Sequence, residues 1–82
     1  MTVRRKLTIL GVPHSLVISD KALEEYLENT EYAVDDIRGL YDDYDRRIFV
    51  REGMNSYQTA LTILHEWLHA VGSVTGQTTL AY

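Results

Sequence analysis

The sequence predicts an α+β fold in which a small antiparallel sheet packs against one long helix. Three observations predict it. Segments rich in β-branched residues open the chain and recur between Ile37 and Arg51, separated by turn-forming residues. The stretch Tyr57–Val71 then runs without Gly or Pro and is apolar over most of its circumference when turned by about 100° per residue. Finally, 82 residues suffice for one small domain, 1–82, built around a single core.

Taken in order, Lys6–Val12 and Ser15–Ser19 are the first β segments, split by Gly11-Val12-Pro13-His14, and read as a hairpin or one bent strand. The basic run Arg4-Arg5-Lys6 is the solvated start of that strand. Asp20 is an N-cap candidate for a short helix through Leu23, Tyr26 and Leu27 that fades at Asn29-Thr30. Ile37–Tyr41 and Arg47–Arg51 are the next strands, joined by the turn residues Asp42-Asp43-Tyr44-Asp45. In the second of them Ile48 and Val50 share one face, and Arg47, Phe49 and Arg51 share the other. Gly53 breaks the chain, Asn55 and Gln58 signal a helix start, and Gly72 is placed to stop the helix.

Composition narrows the function classes. The chain is 45% hydrophobic and 24% charged, as an ordinary globular protein is. Its net charge of −4 argues against electrostatically driven nucleic-acid binding. The Arg-Arg-Lys start precedes an apolar run too short for an export signal, and no stretch reaches the length of a membrane span. There is no cysteine, hence neither a disulfide framework nor a thiolate metal ligand, and an intracellular protein is expected.

The long helix carries the chemistry. Its expected apolar sector holds Leu61, Leu64, Leu68 and Val71, widened by Ala60, Ile63, Trp67 and Ala70. What remains is a narrow polar strip of Gln58, Thr62, His65, Glu66 and His69, on a helix that the pattern makes a buried one. His65-Glu66-Trp67-Leu68-His69 reads H-E-x-x-H. Histidines four apart project from one helical face, so both imidazoles can reach one tetrahedral Zn²⁺. Glu66 sits about 100° further round, beside such a metal rather than on it. There a carboxylate serves as general base toward the attacking water, whose pKa the metal lowers, and then hands the proton to the leaving amine. Two histidines and a glutamate also occur as a hydrogen-bonded polar edge of a core helix; their joint placement on the one polar strip favours the metal reading.

Three segments together carry a resemblance. Gly39-Leu40-Tyr41-Asp42, Ile48-Phe49-Val50 and Leu64-His65-Glu66-Trp67-Leu68-His69-Ala70 resemble the core of minimal zincin-type metallopeptidases, closest to the small phage and bacterial ImmA/IrrE-like and SprT-like domains. The likeness spans roughly Ile37 to Gly72. It implies a zinc-dependent peptidase in the cytoplasm of a bacterium or phage-infected host, with His65 and His69 as metal ligands and Glu66 as catalytic base. It also implies a peptide or protein substrate paired by β-augmentation along an edge strand, which would be Arg47–Arg51. The alternative is a non-catalytic zincin-fold module that binds a partner protein through a degenerate site.

The chain departs from the family pattern at the third ligand. A catalytic zinc site keeps three protein ligands and one open position, yet nothing from Ala70 to Tyr82 is Asp, Glu or His. The metzincin pattern is followed through Gly72 but places Thr75, a poor ligand, at its last position. The reading taken here is a chain truncated before a ligand on a following helix. The other possibilities are the Tyr82 carboxylate, His14 or an acid of Asp42–Asp45 swinging in, and a degenerate site. His14 reads first as a turn or surface residue, and none of the six tyrosines is assigned a catalytic role.

Overall fold

A computed structural model describes residues 2–76. In chain order it contains β1 (Val3–Ile9), β2 (Val12–Ile18), α1 (Asp20–Leu27), a 3₁₀ turn at Val34–Asp36, β3 (Gly39–Asp42), β4 (Arg47–Val50) and α2 (Ser56–Val74). The α+β class is the one the sequence predicts, but the sheet is mixed rather than antiparallel throughout. Its strand order is β1-β2-β4-β3, with β2 and β4 parallel and both outer pairs antiparallel.

The first two strands form a hairpin whose turn is Leu10-Gly11, earlier than the Gly11–His14 break expected from sequence. Both turn residues have positive φ, 50° and 81°, the conformation that matches the right-handed twist of the strands. Pro13 therefore lies inside β2, opposite Thr8. It is tolerated because pairing with β4 begins only at Ser15, so its missing N–H removes no ladder bond on that side.

The cap of helix α1 is one residue earlier than expected, at Ser19 rather than Asp20. The Ser19 hydroxyl accepts from the Ala22 N–H at 3.1 Å, which makes Asp20 the first helical residue. The Asp20 carboxylate instead accepts from the Glu52 N–H, while Glu52 accepts from the Asp20 N–H, each at 2.9 Å. This reciprocal clasp ties the start of α1 to the end of β4.

The side-chain alternation in β4 holds. Ile48 and Val50 join Ile9 and Ala70 in a core under α2, and Phe49 joins Val17, Leu23 and Leu27 in a second core under α1. One helix thus covers each face of the sheet. Burial on both faces follows from β4 being central, and it overturns the expectation that Arg47–Arg51 is the edge strand. Its backbone is paired with β2 on one side and β3 on the other, so the edges are β1 and β3. Edge β1 carries Arg4, Arg5 and Lys6 exposed, charges that discourage edge-to-edge association.

Helix α2 begins where expected, its Asn55 cap accepting from the Gln58 N–H at 2.8 Å. It does not stop at Gly72. It runs to Val74 and ends at Gly76, whose φ of +79° supplies the left-handed residue that closes a helix. Its orientation is a further correction. Thr62, Glu66 and Ala70 face inward, whereas Leu61, Leu64, Trp67 and Leu68 are exposed, so the helix is not buried all round. Gly39 is one physical reason for this choice. A β-carbon on Gly39 would stand 2.7 Å from both the Phe49 carbonyl oxygen and Thr62 Cγ2, so only glycine lets the Thr62–Glu66 face approach the sheet this closely. No helix among the described residues is long and apolar enough to cross a membrane.

Candidate functional site

The three residues of the motif are brought together where α2 crosses β3. One helical turn separates His65 and His69, and their Nε2 atoms converge to 3.1 Å with the rings edge to face. Two imidazole nitrogens bound to one tetrahedral zinc at the usual bond length would stand roughly 3.3 Å apart. The pair therefore fits two vertices of such a site. Two neutral imidazoles at this distance can equally share one N–H···N bond.

Glu66 lies on the sheet side of the pair. It is only 5% exposed. A β-carbon on Gly39 would lie 3.5 Å from its Cγ. Its carboxylate has no hydrogen-bond or ion-pair partner among the described residues. Burial pushes its pKa above the ordinary glutamate value, and His65 and His69 pull it back down when charged. A largely buried carboxylate whose oxygens still reach water, beside two converging imidazoles, is suited to taking up a proton.

Other candidate ligands are committed elsewhere. His14 is buried in β2 rather than at a turn or on the surface. Its Nδ1 lies 2.9 Å from the Val12 carbonyl, and its Nε2 lies 2.8 Å from the Tyr41 hydroxyl, the two rings being stacked. Asp42 is buried as well. It accepts from Arg47 Nε and Nη2 at 3.2 and 3.0 Å and from the Tyr44 and Asp45 N–H groups. The Thr75 hydroxyl donates to the helix carbonyls of Val71 and Gly72. Among the described residues no three His, Cys, Asp or Glu side chains gather as a metal cluster. Tyr82 lies outside the described residues.

The free edge of β3 is the part of the site that sequence reasoning missed. The Arg51 N–H donates to the Arg38 carbonyl at 2.9 Å, which sets the alternation of the β3–β4 ladder. Leu40 and Asp42 then point their backbone groups at β4, and Gly39 and Tyr41 point theirs outward. Gly39 and Tyr41 are also the residues on the α2 face of the sheet, opposite Val50 and Ile48. N–H and C=O groups without a strand partner among the described residues, at a two-residue spacing, thus border the histidine side of α2. A glycine inside a short strand was the available signal, since it marks close approach of other backbone or helix.

No family model, curated protein or solved structure matches this chain.

Proposed function

We propose that this chain is a small zinc-dependent peptidase that acts on an extended segment of peptide or protein. The observation that carries the reading is the buried carboxylate of Glu66, without a hydrogen-bond partner among the described residues, beside the converging Nε2 atoms of His65 and His69. Those two nitrogens would hold zinc, with further coordination from outside the described residues. Zinc bound there supplies a Lewis acid that polarises the scissile carbonyl and makes water a competent nucleophile near neutral pH.

The chain's own residues do the rest. Glu66 accepts the proton of the attacking water, helped by its raised pKa, and returns it to the amine as the peptide bond breaks. The outward backbone groups of Gly39 and Tyr41 pair with the substrate as an added strand, in place of the Arg47–Arg51 edge expected from sequence. The short, close contact of α2 with β3 through Gly39 keeps that strand beside the histidines. A bacterial or phage-infected cytoplasm remains the proposed setting, on the resemblance carried by the Gly39–Asp42, Ile48–Val50 and Leu64–Ala70 segments.

The lack of a third ligand among the described residues favours one second reading, a zincin-fold module that binds a partner along the same edge without cleaving it. Metal content and hydrolysis separate the two. Wild type and Glu66→Gln should bind zinc stoichiometrically by elemental analysis, and His65→Ala and His69→Ala should not. Wild type should cleave an unfolded protein such as casein, and Glu66→Gln should not. Stoichiometric zinc without any cleavage would support the module; equal zinc in all four proteins would remove the metal from both readings.

A further inference from the structure

The outer face of α2 plays no part in the site described above. Tyr57, Leu61, Leu64 and Leu68 are 72%, 47%, 51% and 50% exposed. Their separations of four, three and four residues place them in one straight stripe, the spacing with which a helix presents a seam to another helix. Trp67, also exposed, widens the stripe on the side away from the histidines. Together the five side chains leave roughly 500 Å² of apolar surface in contact with water, near the upper end of what a soluble monomer carries.

We infer that this stripe is a homodimer interface, in which α2 packs antiparallel against α2 of a second copy. Charge is one argument. The chain's net charge is −4, yet the only Asp, Glu, Lys or Arg on α2 is Glu66, which points inward. Two copies can therefore meet along this face without like-charge repulsion or desolvated ions. Area is the second. The exposed apolar surface is well over half of the about 800 Å² per partner typical of a stable interface, before the flanking Gln58 and Ala60 contribute.

Geometry selects the arrangement. A two-fold axis across the helix makes the contact self-complementary and closed. All four stripe residues are used when Leu61 meets Leu64 of the partner subunit and Tyr57 meets Leu68 of the partner subunit. The wide tyrosine then lies against leucine instead of against its own copy, and the helix dipoles oppose. The β3 edge lies beyond the histidine flank of α2 and stays open. The inference stands apart from the zinc reading, because Tyr57, Leu61, Leu64 and Leu68 are exposed on the side of α2 opposite the buried Glu66.

Sedimentation velocity on the 82-residue protein tests it. At about 100 µM, far above a micromolar Kd, wild type should sediment at twice the monomer mass. Leu61→Lys and Leu64→Glu each set a charge against leucine and should each be monomeric, with unchanged far-ultraviolet circular dichroism since both sites are exposed. An equimolar mixture of the two should dimerise again, because antiparallel packing sets the new lysine against the new glutamate. A monomeric wild type overturns the proposal and leaves the stripe to another segment or a different protein. Dimers that survive Leu64→Glu, or a mixture of folded variants that stays monomeric, overturn the arrangement.

Discussion

Replacing Glu66 with glutamine should stabilise the metal-free protein at neutral pH. Ordinarily a substitution at a 95% buried position is destabilising, but here the native side chain is a carboxylate with no hydrogen-bond partner among the described residues, only its oxygens still reaching water. Leaving a buried group unsatisfied costs about 1–3 kcal/mol, and more when the group is charged. The amide is isosteric and neutral, so the gain is the charge component alone, about 1 kcal/mol once the water that the oxygens still reach is allowed for. Against a total stability of about 4–12 kcal/mol for a chain of this length, that is a measurable share. It corresponds to a rise of roughly 4–8 °C in Tm for a domain of this size.

The pH dependence follows from the raised pKa. A carboxyl group that holds its proton more tightly when folded favours the native state fully below its unfolded value, near 4.5, and loses that contribution as pH rises through the raised native value. The advantage of the amide is therefore absent near pH 4 and grows above it. Charge on His65 and His69 opposes the effect of burial on Glu66, so it makes the difference smaller. Urea melts at pH 5 and 8 in the presence of a chelator measure it. Adding zinc should shrink or invert the difference, since a bound cation gives the carboxylate its missing partner. A Glu66→Gln protein no more stable than wild type at pH 8 in chelator would refute the reasoning and mean that the carboxylate is satisfied in solution.

Three further outcomes are expected. Gly39→Ala should cost about 1–3 kcal/mol by overpacking, read as a lower urea midpoint, because the added methyl would meet the Phe49 carbonyl and Thr62 at 2.7 Å. Combining it with Thr62→Ala should recover only part of the loss, as the backbone contact remains. Leu10→Asn should stabilise by about 1 kcal/mol, since Leu10 is exposed and held at φ 50° in the hairpin turn, where asparagine followed by Gly11 is favoured. Tyr41→Phe should cost about 1–3 kcal/mol in the same assay, because it leaves Nε2 of the buried His14 without its partner.

Local features of this chain were legible before its fold. The Asn55 cap, the face shared by His65 and His69, and the two sides of β4 all follow from periodicities of 3.6 and 2 and from side chains a few residues apart. The motif was equally legible, because convergence of two imidazoles one turn apart needs only a helix. Boundaries near glycine were less so. Gly11 and Gly72 both look like stops, but the hairpin turns at Leu10-Gly11 and α2 continues to Gly76, since the strand pairing and helix packing around them outweigh the local preference. Tertiary structure alone decided that β4 is central and β3 is the edge. That ordering comes from the parallel pairing of β2 with β4, a contact between segments some thirty residues apart that leaves no periodic trace. It also decided which side of α2 is inside. Hydropathy counted more apolar residues on the Leu61-Leu64-Leu68 side, yet close packing over Gly39 turned Thr62, Glu66 and Ala70 toward the sheet. The same rotation took Glu66 out of water and left the leucine stripe in it.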